Sequence, residues 1–259
     1  MLKWFKREAK AGVKDSGQGD RKKEVKKLIS QLSSSNSDKR RSAIKQLANI
    51  GDRRSIEPLV KIMKTADWLD RDYAARALGK MGAVEPLFDA LNSDSFDMKK
   101  YGVKGLEEMS DPGPLLKALE HNNSSVRVEV VKVLQKRTPR DVVPHICRAL
   151  QDSNGDVRLH AAWALADVHT KDAVLPLIEA LKDSNSYVRG AAASTLGKIK
   201  YKEAIDPLVK LLMDNEYFVR KIAADTLANL GEFKWKTLVK GDPDDFKRLK
   251  TCGDPRLQD

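Results

Sequence analysis

The sequence predicts an all-α protein, an α-α superhelix of about seven two-helix repeats, and two observations support this fold class. A segment containing proline recurs along the chain, and a basic residue follows each proline at a nearly constant distance. Apolar residues inside each repeat recur at helical spacing, and no segment shows the sustained alternation that is typical of a β-strand. A helical hairpin of this length cannot bury its apolar face alone, so neighbouring repeats are expected to stack into a continuous core.

Proline marks the first helix of each repeat, because its missing N–H group has no partner in a first helical turn. The prolines are Pro58, Pro86, Pro114, Pro144, Pro176 and Pro207. A basic residue follows thirteen or fourteen positions later. These basic residues are Arg71, Lys99, Arg127, Arg158, Arg189 and Arg220. Arg40 lies 31 residues before Arg71 and adds one repeat at the start of the series.

The basic residue lies in the second helix of the repeat. Counted from it as zero, positions −1, +3, +4, +7 and +10 are mostly apolar and share one helix face, as Val188, Ala192 and Leu196 do. The polar segment 183–186 before this helix supplies turn and N-cap residues. Glycine is expected to end several second helices, because it adopts a left-handed conformation without strain. The glycines in question are Gly51, Gly82 and Gly231.

Three parts of the chain are expected to differ in organisation. Residues 1–20 are predicted to be a mobile basic tail, since they contain little to bury and several glycine and serine residues. Residues 21–231 are predicted to form the repeat array. Residues 232–259 depart from the repeat and are predicted to be a C-terminal cap or a partial repeat extension, with Trp235 and Phe246 covering the last repeat.

Composition and charge narrow the function classes. The chain has 259 residues and a formal net charge of +11; residues 1–55 hold 16 lysine and arginine against 6 acidic residues, and residues 56–259 hold 32 against 31. No stretch approaches the ~20 apolar residues of a membrane-spanning helix, and the N-terminus is charged where a secretory signal would be apolar. Cys147 and Cys252 are too few for a disulfide framework or a four-thiolate zinc site. We therefore expect a cytoplasmic protein.

Residues 173–197 resemble the short HEAT-like repeats that are named after phycobilisome lyases. The pattern of those repeats is P-L-x-x-x-L, then D-x-x-x-x-V-R, then A-A-x-x-L-G, and the segment from Ala173 to Gly197 matches it most fully. The resemblance extends over about four fifths of the chain and implies an α-solenoid. It leaves the function open, because such arrays serve as scaffolds, adaptors and occasionally enzymes.

The resemblance also implies a structural role for the Val-Arg arginines. In HEAT repeats an aspartate six residues before this arginine commonly joins a ladder that runs along the stack. Three pairs match the spacing: Asp152 with Arg158, Asp183 with Arg189, and Asp214 with Arg220. The first four repeats lack the acidic residue, so the ladder is expected to be weaker there. The residues at that offset are Ser34, Thr65, Ser93 and His121.

The concave face is the predicted binding surface, because HEAT-type solenoids turn their second helices toward it. Position +5 lies opposite the core face of the second helix. In the first five repeats this position holds four basic residues and then an aromatic one, and we call this set the +5 column: Lys45, Arg76, Lys104, Lys132 and Trp163. Flanking positions add further rings. We predict that these residues bind an acidic protein or peptide in the concave groove. The candidate partner-binding residues are Lys45, Arg76, Lys104, Lys132, Trp163, Tyr73, Tyr101 and His160.

Other interpretations of the same residues stay open. The column could be a solvated lysine-rich helix face without a ligand. The basic N-terminal half could instead bind nucleic acid through phosphate contacts and stacking, although the rest of the chain is almost neutral. Trp4 and Phe5 among the cations of residues 1–20 could contact an anionic membrane surface, a weaker hypothesis than a solubilising tail.

Catalysis is not expected, and no cofactor, metal site or catalytic residue is predicted. Deoxyhypusine hydroxylase, which has similar repeats, binds iron through His-Glu dipeptides, and this sequence contains none. His145 lies two residues from Cys147, but we expect it to be a buried core histidine rather than a ligand or a catalytic base. Bilin lyases share the repeat type, so a role as a lyase-type or other enzyme accessory subunit is a further alternative.

Overall fold

The computed structural model describes residues 16–137 and 140–231. Within these ranges the chain forms α-helices and short 3-10 turns, and no strand occurs there. The contacts divide the chain into two compact units, an N-terminal unit up to Ser110 and a C-terminal unit from Asp111. The predicted cap at 232–259 and most of the predicted tail lie outside the described residues. The first helix begins at Ser16, before the predicted start of the repeats.

Six helices build the N-terminal unit. They are α1 (Ser16–Gln31), α2 (Ser37–Ile50), α3 (Ile56–Thr65), α4 (Trp68–Lys80), α5 (Val84–Asn92) and α6 (Phe96–Glu107). Each odd-numbered helix packs on the even-numbered helix that follows it, and α2, α4 and α6 pack side by side in that order. A 3-10 turn at Arg53–Ser55 leads into α3.

Eight helices build the described part of the C-terminal unit. They are α7 (Gly113–Ala118), α8 (Ser124–Arg137), α9 (Val143–Ala149), α10 (Gly155–Ala164), α11 (Val174–Ala180), α12 (Ser186–Ile199), α13 (Ile205–Leu211) and α14 (Tyr217–Asn229). The second helices α8, α10, α12 and α14 again pack in sequence order, each covered by its own first helix. The fourteen described helices make seven helix pairs, which confirms the predicted all-α solenoid class.

The helix ends follow the predicted capping residues. Gly51, Gly82 and Gly231 lie just beyond α2, α4 and α14, with φ values of 68°, 68° and 74°. Asn185 caps α12, where its side-chain oxygen accepts a hydrogen bond from the Tyr187 amide at 2.9 Å. Local sequence therefore determines where these helices begin and end.

Two glycines bring the second helices α4 and α6 into backbone contact. A Cβ atom added at Gly79 would overlap the main-chain oxygen of Gly105, and one added at Gly105 would lie 2.7 Å from the oxygen of Ala75. Real Cβ atoms do not approach main-chain atoms this closely. The close approach depends on glycine at both positions, because a main-chain oxygen obstructs each added Cβ atom, and at Gly105 the Leu87 side chain obstructs it as well.

An arginine–aspartate ladder links successive repeats in the C-terminal unit. Arg127 donates from Nε and Nη2 to the Asp152 carboxylate, both at 2.7 Å, and Arg158 contacts Asp183 in the same way at 2.6 and 2.9 Å. Arg189 repeats this contact with Asp214 at 2.6 and 2.7 Å. Each arginine thus pairs with the aspartate of the following repeat.

The same arginines hold the turns of their own repeats. Arg158 Nη1 donates to the main-chain oxygen of Asp152 at 2.7 Å, and Arg189 Nη1 donates to that of Asp183 at 2.8 Å. The aspartate six residues before an arginine therefore accepts a hydrogen bond from that arginine through its main-chain oxygen. Its carboxylate accepts hydrogen bonds from the arginine of the preceding repeat. The ladder that the resemblance implies is therefore present in this unit. Within a repeat it uses the main-chain oxygen of the aspartate, and between repeats it uses the carboxylate.

Burial and pairing oppose each other in setting the acidity of the ladder aspartates. Burial by itself raises the pKa of Asp183, but hydrogen bonds from Arg158 and from the Asn185 amide outweigh it. The pKa of Asp183 therefore lies below the ordinary aspartate value of about 3.8, and the pKa values of Asp152 and Asp214 are lowered for the same reasons. All three aspartates are ionised at neutral pH.

The expectation of a weaker ladder in the first four repeats is only partly correct. Arg40 pairs with Asp67 at 3.0 Å and also with Asp70, whose side chain is fully buried. Arg41 shares Asp70 at 2.8 Å. Asp67 is the N-cap residue of α4 and Asp70 lies in the first turn of α4, so the offset of six residues before Arg71 did not reveal them. Arg71 fits the expectation, since its Nε donates to a main-chain oxygen at 2.7 Å.

We predict that Gly105→Ala lowers the free energy of unfolding by about 2 kcal/mol or more, because the added methyl group forces α4 and α6 apart. Gly19→Ala is the matched control. An added Cβ at Gly19, within α1, meets nothing within 4 Å, so this change should stabilise the chain by about 0.5–1 kcal/mol. Urea unfolding followed by circular dichroism measures both, and an equal effect of the two changes would contradict the close approach.

Asp183→Asn should lower the free energy of unfolding by about 2 kcal/mol at neutral pH, because Arg158 loses its charged partner. The folded pKa of Asp183 is lowered, so the carboxylate adds stability above pH 3.8 and loses that contribution as the pH falls through the folded pKa. The difference between wild type and variant should therefore shrink in acid. Asp225→Asn, at an exposed position, is the control. A difference that is independent of pH would argue against the ion pair.

Candidate functional site

Three of the predicted residues of the N-terminal unit, Lys45, Tyr73 and Arg76, line one recess between α2 and α4. Lys45 is exposed on α2, and its Nζ atom lies 4.9 Å from the centroid of the Tyr73 ring on α4. The two side chains line a recess of about 240 Å³, which we call the α2–α4 recess. Its lining residues are Ile44, Lys45, Ala48, Asn49, Tyr73, Arg76, Ala77, Lys80 and Glu108.

Acidic neighbours compensate two of the predicted basic residues in this unit. Arg76 donates to Asp72 at 2.9 Å and also contacts Glu108, and Lys104 contacts Asp72. Burial raises the pKa of Asp72, but the hydrogen bonds from Lys104 and Arg76 outweigh it and hold that pKa below its usual range. The hydrogen bond with Asp72 correspondingly raises the pKa of Arg76. Arg76 and Lys104 are therefore paired with carboxylates of the same unit, which the sequence pattern did not indicate.

Lys45 and Lys80 differ from that pair. Both are exposed, and within the part of the chain that the structure describes neither has a carboxylate within ion-pair distance. Lys80 follows Arg76 by one helical turn and lines the same recess. Position +5 alone does not reveal Lys80, because the recess is lined by residues from more than one position of each helix.

The placement of Tyr101 differs from the prediction. Its side chain is only 6% exposed, and its hydroxyl donates to the main-chain oxygen of Trp68 at 3.3 Å. The ring therefore packs in the contact between α4 and α6 instead of facing a partner. Helix periodicity gives the direction of a residue around its own helix, but it does not give the distance to the neighbouring helix, and here that distance decides the burial.

The predicted residues of the C-terminal unit form a separate small cluster. Lys132 pairs with Glu129 at 2.8 Å on α8. Trp163 on α10 is 45% exposed, and its ring meets that of His160 edge to face at a centroid distance of 5.1 Å. Burial and the nearby Lys132 lower the pKa of His160, so the imidazole is neutral at pH 7. The cluster therefore presents rings and little net charge.

Two further aromatic residues in this unit were missed. Tyr187 on α12 is 65% exposed, and its ring lies 5.4 Å from that of Phe218 on α14. Ser194 and Asp225 occupy position +5 after Arg189 and Arg220. Tyr187 and Phe218 precede them by seven residues, about two helical turns, so they share the same helix face. Extending the column by two turns toward the N-terminus would have revealed both.

His145 and Cys147 do not form a reactive pair. His145 is partly exposed, so the expectation of a buried core histidine is wrong; it lines a recess beside Leu116 and Glu120. Burial, with a smaller effect of the Asp172 charge, raises the pKa of the Cys147 thiol to about 11. The thiol is therefore protonated at neutral pH, which is unfavourable for a nucleophile.

The described residues contain neither a metal-binding cluster nor a membrane-spanning helix. No group of three or more histidine, cysteine, aspartate or glutamate residues within 16–137 and 140–231 is placed to hold a metal ion. No helix in those ranges combines the length and the apolar composition that a membrane crossing requires. Most of the segment 1–20 proposed for membrane contact lies outside the described residues.

Comparison with known protein families agrees with the observed architecture. The family of HEAT repeats matches residues 25–97, 112–174, 143–228 and 174–250. These ranges cover well over half of the sequence, and the chain therefore belongs to the HEAT-repeat family, which confirms the resemblance. No curated protein matches the chain significantly.

Several solved repeat structures are similar to this chain. The YibA protein of Escherichia coli is 21% identical, with 95% of this chain and 94% of that chain covered and a TM-score of 0.48. Human deoxyhypusine hydroxylase is 18% identical, with 80% and 84% covered and a TM-score of 0.44. The complex of CpcE and CpcF of phycocyanin lyase from Nostoc is 19% identical, with 97% and 98% covered and a TM-score of 0.34. None of these values assigns a function to this chain.

We predict that Cys147 reacts slowly with iodoacetamide in the folded protein. A thiol with a pKa of about 11 has a thiolate fraction near 10⁻⁴ at pH 7, more than a hundredfold below that of a thiol with a pKa of about 8.5. In a Cys252→Ser background, the rate should keep rising about tenfold per pH unit above pH 9. Protein unfolded in urea is the control, and its rate should level off near pH 9. A plateau of the folded protein at the same pH would contradict the raised pKa.

Proposed function

We propose that this protein is a non-catalytic interaction scaffold that binds a carboxylate-bearing segment of a partner protein at the α2–α4 recess. One observation carries the proposal: Lys45 and Lys80 line this recess beside the Tyr73 ring, and neither has a carboxylate partner among the described residues. Repeat proteins of this class commonly bind protein or peptide partners. The recess would supply the charge and the apolar contact that an acidic peptide needs.

The charges of the recess favour an anion. Lys45, Lys80 and Arg76 are cationic, and Glu108 is the single carboxylate among the lining residues. Arg76 contacts Glu108, so that carboxylate is neutralised before a ligand arrives. An incoming aspartate or glutamate side chain would therefore meet a net charge of about +2, and long-range attraction would increase its association rate.

The shape of the recess favours one side chain rather than a broad surface. The Tyr73 ring faces the Lys45 ammonium group, an arrangement that contributes about 0.5–1 kcal/mol at an exposed site and keeps the lysine extended over the ring. Ile44 and Ala48 provide apolar contact, and the Asn49 amide can both donate to and accept from a peptide main chain. A glutamate next to an apolar residue matches this set of groups.

Other predicted residues have different roles in this proposal. Arg76 and Lys104 organise the recess through Asp72, and Tyr101 packs between helices. Lys132, His160 and Trp163 remain predictions for partner contact in the C-terminal unit. The non-catalytic part of the proposal is supported by the protonated state of the Cys147 thiol, the one nucleophile candidate that the sequence singled out.

Reversal of both recess lysines, Lys45→Glu with Lys80→Glu, should weaken binding of an acidic peptide at least tenfold. The probe is a fluorescein-labelled decapeptide of alternating glutamate and leucine, and fluorescence anisotropy gives the dissociation constant. The matched control is Lys61→Glu with Lys64→Glu, which changes the net charge equally at exposed positions of α3.

Three outcomes bear on the proposal. Loss of binding in the recess variant with retention in the control supports it. Equal losses would show that only net charge matters and would remove the recess as a site. A glutamine–leucine peptide that binds as tightly as the glutamate peptide would exclude carboxylate recognition.

A further inference from the structure

Helix α1 carries a row of lysines whose charge is not compensated. Lys22, Lys23, Lys26 and Lys27 are all exposed, and none has a carboxylate within ion-pair distance among the described residues. The spacing i, i+1, i+4, i+5 places them on one side of the helix. We call these four residues the α1 lysine row.

The packing of α1 fixes the direction of this row. Val25, between the lysines in sequence, and Leu28, directly after them, are 1% and 4% exposed, and α1 packs on α2. Arg21 donates to the main-chain oxygen of Ile50 at the end of α2. The apolar face and the arginine therefore hold the helix against its neighbour, and the lysines face solvent.

The row is continuous with a recess at the 3-10 turn before α3. Lys22, Lys23, Lys26 and Arg54 line a space of about 400 Å³ together with Val25 and Ile29. Arg54 pairs with Asp52 at 2.6 Å, and the three lysines leave the recess strongly positive. Several cations therefore converge on one small region instead of being dispersed over the unit.

The α1 lysine row and the +5 column differ in how many of their cations are paired with carboxylates. In that column Arg76 and Lys104 are neutralised by Asp72 and Glu108, whereas the α1 lysine row has no such partners in the described chain. Part of the positive charge of residues 1–55 therefore lies on α1, outside the column that sequence periodicity favoured. Asp20 and Glu24 are exposed on the same helix, but four lysines and Arg21 outnumber them, so α1 keeps an excess of positive charge for a polyanion.

The chemistry of the row identifies the class of polyanion. Lysine is a compact point charge without the planar fork of arginine, which suits phosphate attraction better than bidentate selection of carboxylates. Val25 and Leu28 are buried and Ile29 is only partly exposed, so α1 lacks the broad exposed apolar face that insertion into a lipid surface requires. No aromatic residue lies on the described part of α1 for stacking on unpaired bases. These features match the regular phosphate backbone of a duplex.

We propose that the α1 lysine row and the adjoining recess bind the phosphate backbone of double-stranded nucleic acid without sequence selection. Each lysine that neutralises a phosphate releases a condensed counterion, so the affinity falls steeply with salt. This site is distinct from the α2–α4 recess and binds a different class of partner, so the two proposals stand or fall separately.

The test uses the full chain and a fluorescein-labelled duplex of about 20 base pairs, titrated at several salt concentrations. The variant replaces Lys22, Lys23, Lys26 and Lys27 with glutamate. A second variant replaces them with glutamine, which keeps the positions polar if charge reversal prevents folding. The control replaces an equal number of exposed lysines elsewhere in the N-terminal unit with glutamate. The control positions are Lys61, Lys64, Lys99 and Lys100.

The wild type should bind the duplex at low salt, and the slope of log affinity against log salt should become about 3 to 4 units shallower in the glutamine variant, since each phosphate contact contributes about 0.9. Affinity at low salt should fall at least thirtyfold in both row variants and less than fivefold in the control. Circular dichroism verifies that each variant is folded.

Three results would overturn the proposal. The first is the absence of duplex binding by the wild type at low salt. The second is an equal loss of affinity in the control and row variants. The third is tighter binding of polyglutamate, or of vesicles containing about 30% phosphatidylserine, than of the duplex, which would reassign the row to an acidic protein or to a membrane surface.

Discussion

Every helical hairpin in this chain has an apolar face that only another hairpin can cover, and the rest of the structure depends on that constraint. The second helices satisfy it by packing side by side within each unit, with small residues where they approach most closely. Gly79 and Gly105 show how strict the constraint is, because backbone meets backbone there and no side chain would fit. One face of each helix is buried in packing against its neighbours, so only the opposite, exposed face can contact a partner.

Electrostatics reinforces the packing and also removes charge from the surface. In the C-terminal unit, Arg158 joins its own turn to the aspartate of the next repeat, so each repeat is oriented by its neighbour. In the N-terminal unit, Asp72 and Glu108 neutralise cations that would otherwise face a partner. Within the described residues, the α2–α4 recess and α1 are two places where neighbouring lysines have no carboxylate at ion-pair distance. The binding surfaces are therefore defined as much by where the acids lie as by where the bases lie.

Much of the fold could be predicted because its determinants are local. Helix periodicity, proline in the first turn and glycine after α2 and α4 all act within a few residues, and the structure confirms them. The candidate site was less predictable. Tyr101 belongs to the expected face but is buried, and Tyr187 and Phe218 share that face but were overlooked. The periodicity of apolar residues gives the direction in which a side chain points from its own helix. The exposure of that side chain depends also on how closely the neighbouring helix packs.

The sequence by itself determined the number of repeats, the ends of several helices and the concentration of positive charge in the first 55 residues. Only the tertiary structure decided which cations are paired and which are free. The physical reason is that ion pairs such as Arg76 with Glu108 and Arg158 with Asp183 join residues 32 and 25 positions apart. Such pairs form only when packing brings neighbouring helices together. The positive charge that remains available to a partner therefore depends on the tertiary structure.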